Sequence, residues 1–249
     1  MYITDDKIFL HMVKSAGISV HKGLIQSEQN IHVNQRHASL NNLPEYYQDL
    51  PRYSVIRKPE DWYKSFYKFF LGVEGYLSFM LNDPKEPYDG YIYPIDFNEF
   101  VKRSINFKET LLKFPNKARV FNNLLRSQGN LHFVTGYFTE AIDPSNPLSF
   151  EQFNMSLYEW FWRGCGADTA VNIPMDRLDY VEELFDIKIG HDNKTKDKDL
   201  VIEYNDETLA LVRETHKEFY DLYEAFDEEE PKTYYELFAE NNQEEPEGS

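Results

Sequence analysis

The sequence has 249 residues, of which 41% are hydrophobic and 16% are aromatic. A chain of this length can bury one sizeable core, so we expect a single domain. The acidic residues number 43 against 26 Lys and Arg residues, which gives a formal net charge of −17. This charge argues against general binding of nucleic acids and against adhesion to anionic membranes.

Several other functional classes find no support in the sequence. No apolar run approaches the roughly 20 residues of a membrane-spanning helix, and Asp5 and Asp6 stand where a secretory signal would be basic. The chain has one cysteine, Cys165, which excludes an internal disulfide and a cysteine-based zinc cluster. Neither an HExxH motif nor a DxDxDG calcium loop is present, so we predict no metal site. We expect a cytoplasmic protein.

Short apolar runs alternate with segments of helical periodicity along the chain. Predicted strands cover residues 7–13, 30–34, 53–56 and 169–173. Predicted helices cover residues 19–26, 40–47, 59–70, 97–112, 150–162, 175–185 and 206–226. The helix that begins at Pro59 carries an apolar stripe of Trp62, Phe66, Phe69 and Phe70. Alternating strands and helices predict an α/β fold with a central, mostly parallel sheet covered by helices on both faces.

The domain should end near residue 226, where the composition changes. Residues 227–249 form an acidic tail with two prolines, which we expect to be largely disordered. The tail residues that could dock on the domain are Tyr234, Tyr235, Leu237 and Phe238. A solubilising role and a partner-binding or inhibitory role both remain open for this tail.

Ligands of a parallel sheet bind beyond the carboxyl ends of its strands, and two such places stand out. In IFLHMVKSAGISVHKG, residues 8–23, a turn with Gly17 precedes a predicted helix, whose first N–H groups suit a phosphate. Lys14 would add a full positive charge. Because Lys14 precedes Gly17, the segment is not a Walker A loop.

The second place is YSVIRKPEDWYKSFYKFF, residues 53–70. Arg57 leaves the end of a predicted strand and Ser65 lies two turns into the next helix, so both could reach a second anion beside the first. A surface ion pair is the alternative for a strand-end arginine. The two segments in this order are more specific than either one alone.

The two segments resemble the cofactor loops of the sulfotransferase superfamily that uses 3′-phosphoadenosine-5′-phosphosulfate (PAPS). FLHMVKSAGIS is similar to the 5′-phosphosulfate loop of that family, and VIRKPEDWYKSFY is similar to its 3′-phosphate motif. RHASL, residues 36–40, resembles a segment of the carbohydrate-type branch, and IGHDNKTKDKD resembles a late loop. The resemblance implies a P-loop-like sulfotransferase architecture.

The resemblance also implies a cofactor and its contacts. The cofactor would be PAPS, and the product would be 3′,5′-bisphosphoadenosine. The 5′-phosphosulfate would bind the loop formed by Lys14, Ser15, Ala16, Gly17, Ile18 and Ser19. Arg57 and Ser65 would hold the 3′-phosphate, and Lys194 of the late loop would approach the phosphates unless that loop is merely solvated. Ile18 departs from the threonine that is usual in the family.

The chemistry assigned by this resemblance is in-line sulfuryl transfer from PAPS to a hydroxyl or amine. Lys14 would stabilise the leaving phosphate, and His37 is the first choice for the base because a neutral imidazole can take the acceptor's proton. A capping or packing role for His37 is the competing interpretation, with Glu28, Glu45 and Asp49 as alternative bases. Among the other histidines, we expect His11 to be structural and His21, His191 and His216 to face solvent.

The acceptor would be a small molecule or a carbohydrate. Residues 75–100 are rich in aromatics, and Tyr88, Tyr91 and Tyr93 could stack on a sugar or belong to a packed connection. Two alternatives to an active sulfotransferase stay open. One is an inactive family member that acts as an interaction protein, and the other is a P-loop-like kinase that uses ATP.

Overall fold

The computed structural model describes residues 1–34, 43–70, 81, 95–112, 154–190 and 202–238. The strands are β1 Tyr2–Ile3, β2 Ile8–Leu10, β3 Val33–Asn34, β4 Arg52–Ile56 and β5 Val171–Pro174. The helices are α1 Gly17–Gln26, α2 Pro59–Phe70, α3 Phe97–Ile105, α4 Phe107–Leu112, α5 Leu157–Gly164, α6 Leu178–Phe185, α7 Asp206–Thr215, α8 Lys217–Glu224 and α9 Tyr234–Phe238. Short 3₁₀ helices cover Glu45–Tyr47, Ala167–Thr169 and Met175–Arg177.

The described strands form one sheet in the order β3-β1-β2-β4-β5. β4 pairs in parallel with β2 on one side and with β5 on the other, and Tyr53 lies opposite both Phe9 and Val171. β1 runs antiparallel to both of its neighbours, β2 and β3, so it alone among the described strands points the opposite way. The structure therefore confirms an α/β fold with a mostly parallel sheet flanked by helices. The two-residue strand β1 was missed because so short a run has no detectable period.

Helices cover both faces of this sheet, as the last two residues of β4 show. Val55 packs with Val20 of α1 and Val181 of α6 in one buried cluster. Ile56, whose side chain points to the opposite face, packs in another cluster with Trp62 of α2 and Phe161 of α5.

The predicted aromatic stripe of α2 forms the centre of the second cluster. Trp62 and Phe66 are fully buried, and their rings stack with centroids 4.6 Å apart. The ring of Tyr158 from α5 meets Trp62 edge-on at 5.3 Å. Burial of a large apolar side chain contributes about 1.5–3 kcal/mol, so this stacked group holds α2 firmly beside the end of β4.

Two predicted helices are interrupted in the structure. The segment 206–226 is split at His216, whose backbone leaves the helical region while its ring is buried and lies 3.0 Å from the hydroxyl of Tyr63. The segment 97–112 is split at Asn106, whose side chain donates a hydrogen bond to the Lys102 carbonyl. The expectation that His216 and His21 face solvent is wrong, because both side chains are buried.

Part of the acidic C-terminal segment packs on the domain. Thr233 forms an antiparallel bridge to Val171 at the edge of β5, and the Tyr234 ring meets Trp162 at 5.1 Å. Residues 239–249 lie outside the described residues. None of the described helices is long and apolar enough to cross a membrane.

Candidate anion-binding site

The chain turns sharply between β2 and α1, at the carboxyl end of a central strand. Lys14 and Ala16 adopt left-handed backbone conformations, with φ of 64° and 56°. A non-glycine residue in this region costs about 1 kcal/mol or more, and such residues concentrate at functional sites. α1 then begins at Gly17 with no side-chain cap and no acidic residue in its first turn. Its first N–H groups and the positive end of its dipole thus favour an anion.

Ser15 adds a buried hydroxyl to this turn. Its side chain is 1% exposed, and its Oγ has no hydrogen-bond partner among the residues that the structure describes. A buried polar group without a partner costs about 1–3 kcal/mol.

Gly17 is required by a close approach between α1 and His11. A Cβ placed on Gly17 would lie 1.7 Å from Cδ2 of the His11 ring. The start of α1 therefore packs directly on the end of β2, which fixes the turn between them.

Gly17→Ala should destabilise the fold by about 1–3 kcal/mol, because the methyl group overpacks this contact. Urea denaturation of the full chain measures the change. Ala16→Gly is the matched control, and it should stabilise the protein because glycine adopts the left-handed conformation without strain. Equal stability of Gly17→Ala and the wild type would show that the contact is not tight.

Lys14 and Arg57 come together from neighbouring parallel strands. Nη1 of Arg57 lies 3.5 Å from the carbonyl oxygen of Lys14 and donates to it. Burial, together with the charge of Arg57, holds the pKa of Lys14 below its ordinary value, and burial also lowers the pKa of Arg57. Within the described residues, neither side chain forms an ion pair with a carboxylate.

Residues one turn before and one turn after Ser65 in α2 interact with these two cations. Phe69, one turn after Ser65, places its ring centroid 4.9 Å from Nζ of Lys14. Asp61, one turn before Ser65, acts electrostatically on Arg57 and opposes the lowering of its pKa. Because residues four apart share a helix face, the half-buried Ser65 lies on the same face, between these two contacts.

Two hydrogen bonds from buried aromatic side chains fix the backbone of this site, and the sequence did not reveal them. The indole N–H of Trp62 donates to the Val13 carbonyl at 2.7 Å, immediately before Lys14. The hydroxyl of Tyr158 donates to the Arg57 carbonyl at 2.8 Å. Aromatic residues at helical spacing indicated only a core, and nothing in the sequence distinguishes a core tryptophan from one that also holds a loop.

The remaining predicted site residues lie in the first turn of α1, at exposed positions elsewhere, or outside the described part. Ile18 is 45% exposed in the first turn of α1, and Ser19 beside it donates its backbone N–H to the Ala16 carbonyl. His37 and Lys194 lie outside the described residues, so the proposed base and the late-loop contact stay predictions. The same holds for Tyr88, Tyr91 and Tyr93, whereas the alternative bases Glu28, Glu45 and Asp49 are exposed.

A separate cleft of about 550 Å³ lies at the C-terminal end of α1. Its charged lining consists of Asp179, Glu182, Glu183, Asp186 and Lys188. Four carboxylates against one ammonium repel an anion, so this cleft does not favour phosphate groups.

Among the described residues, no group of three or more His, Cys, Asp or Glu side chains could hold a metal ion. Comparisons of the chain with protein-family models, with curated proteins and with solved structures found no match.

Proposed function

We propose that this protein binds PAPS and transfers its sulfuryl group to a hydroxyl or amine of a small molecule or carbohydrate. The observation that carries the proposal is the contact between Lys14 and Arg57, two half-buried cations. Neither forms an ion pair within the described residues, and the carboxylate that acts on Arg57 from a distance is that of Asp61. Like charges that are partly desolvated are costly side by side unless an anion compensates them. A ligand with two anionic groups meets this need.

The residues present fit the 5′-phosphosulfate at the start of α1. The N–H groups of Gly17 and Ile18 would donate to its oxygens, as would the Ser15 hydroxyl, which has no partner among the described residues. The Lys14 ammonium would stabilise the charge that grows on the phosphate oxygen as its bond to sulfur breaks. The new bond joins sulfur to the acceptor oxygen or nitrogen, and the acceptor's proton passes to a base, for which His37 remains our proposal.

The residues at the end of β4 fit a second phosphate. Arg57 carries the planar donor group that suits phosphate oxygens, and Ser65 lies on α2 between the residues that interact with Arg57 and Lys14. A 3′-phosphate is the group that distinguishes PAPS and its product from ATP. A strand, the turn at Lys14 and helix α1 follow one another as the P-loop-like sulfotransferase architecture requires, and that architecture is part of the proposal.

A thermal-shift titration with 3′,5′-bisphosphoadenosine tests binding. At a concentration about 100 times the Kd, the wild type should gain roughly 5–10 °C in Tm. Lys14→Ala should lose most of this shift because the ammonium that contacts the anion is gone. ATP serves as the control ligand, since a shift with ATP and none with the bisphosphate would favour a kinase.

Incubation with sulfur-labelled PAPS tests the transfer step. Label should move to a hydroxyl or amine acceptor with the wild type and not with Lys14→Ala. Binding of the bisphosphate without transfer to any member of a broad acceptor panel would instead support an inactive family member.

A further inference from the structure

The Lys14 ammonium contacts an aromatic ring and forms no ion pair with a carboxylate of the described residues. Its Nζ lies 4.9 Å from the centroid of Phe69, inside the distance at which the face of a ring attracts a cation. We propose that Phe69 is a positioning residue that holds the Lys14 ammonium at the anion site. The identity of the anion rests on the function proposed above, whereas the contact itself does not.

The ring of Phe69 is anchored by the core. Phe69 packs against the second buried cluster, and its centroid lies 6.2 Å from that of Phe66, which is itself stacked on Trp62. The same tryptophan donates to the Val13 carbonyl and so fixes the backbone next to Lys14. The ring and the lysine backbone are thus held by one rigid unit.

A ring suits this position better than a carboxylate would. A carboxylate would neutralise the ammonium and compete with the ligand for its N–H donors. The ring attracts the charge without accepting strong hydrogen bonds, so the donors stay available to an anion. The ring also opposes two effects that favour loss of the Lys14 proton, which are the burial of Lys14 and the positive charge of Arg57.

Simple packing of the lysine stem on an apolar surface is the competing explanation, and two substitutions separate it from a cation–π contact. Phe69→Leu keeps an apolar side chain on the core but removes the ring face. Phe69→Tyr keeps the ring face. If packing alone matters, leucine should serve as well as tyrosine.

The test measures the Lys14 pKa in the ligand-free full chain, by the pH dependence of competitive acetylation followed by mass spectrometry. Phe69→Leu should lower this pKa by about 0.5–1 unit and weaken binding of 3′,5′-bisphosphoadenosine about threefold to tenfold. Phe69→Tyr should restore both values. Phe69→Met is measured beside Phe69→Leu, so that a folding defect of one variant leaves the comparison intact.

Equal pKa values in the wild type, Phe69→Leu and Phe69→Met would overturn the proposal. If the wild type fails to bind the bisphosphate, the proposed function fails, while the pKa comparison still decides the role of Phe69. A lowered pKa with unchanged affinity would also overturn the proposal, because the ammonium would then not be positioned for the ligand.

Discussion

Arg57→Ala should weaken the binding of 3′,5′-bisphosphoadenosine by about 100-fold or more. The guanidinium is half-buried beside Lys14, and we propose that it pairs with the 3′-phosphate of the ligand. Loss of one partner from a buried pair of opposite charges typically costs about 2–5 kcal/mol. The Tyr158 hydroxyl binds the backbone carbonyl of residue 57, so the substitution leaves that support in place. Isothermal titration calorimetry measures the change.

Comparison with adenosine 5′-monophosphate makes this prediction specific for the 3′-phosphate. Arg57→Ala should reduce its affinity little, since that nucleotide lacks the group that Arg57 is proposed to hold. Arg52→Ala is the matched control, because Arg52 lies at the other end of β4 and donates to the Gln48 carbonyl and Thr169 Oγ1. Equal losses with both nucleotides would contradict the assignment of Arg57.

Lys14 and Arg57 could be predicted as neighbours because the fold class dictates it. Short apolar runs revealed β2 and β4, and adjacent parallel strands end at the same edge of a sheet. The details of the site could not be predicted in the same way. No pattern of residue types places Lys14 and Ala16 in left-handed conformations, since glycine is the usual signal for that region.

The breaks in the predicted helices have a tertiary origin. The segment 206–226 has helical periodicity on both sides of His216, and local propensity alone would continue the helix through it. The break coincides with burial of the His216 ring beside Tyr63 and Tyr158, both of which lie far from His216 in the sequence. Contacts of this kind override the weak preferences of single residues.

His216 should make the stability of the fold fall steeply as the pH drops below about 6.5. Burial lowers its pKa from 6.5 to about 3. Between these two pKa values, His216 takes up a proton in the unfolded chain but not in the folded protein. The stability that the neutral His216 contributes above pH 6.5 is therefore lost as the pH falls. One pKa unit corresponds to about 1.4 kcal/mol, so the full loss approaches 5 kcal/mol. Urea denaturation from pH 7 to pH 4 should show about 3.4 kcal/mol of this loss.

His216→Gln is the comparison that isolates this histidine, because an amide can still hydrogen-bond the Tyr63 hydroxyl but does not titrate. Carboxylates such as Asp5 and Asp6, whose pKa values are lowered by hydrogen bonds, contribute equally to both curves. The wild type should therefore lose about 1.4 kcal/mol more per pH unit than the variant below pH 6. Parallel curves would mean that the imidazole is protonated inside the fold. Of the residues that the structure describes, the Tyr63 hydroxyl is the one within hydrogen-bonding distance of Nε2.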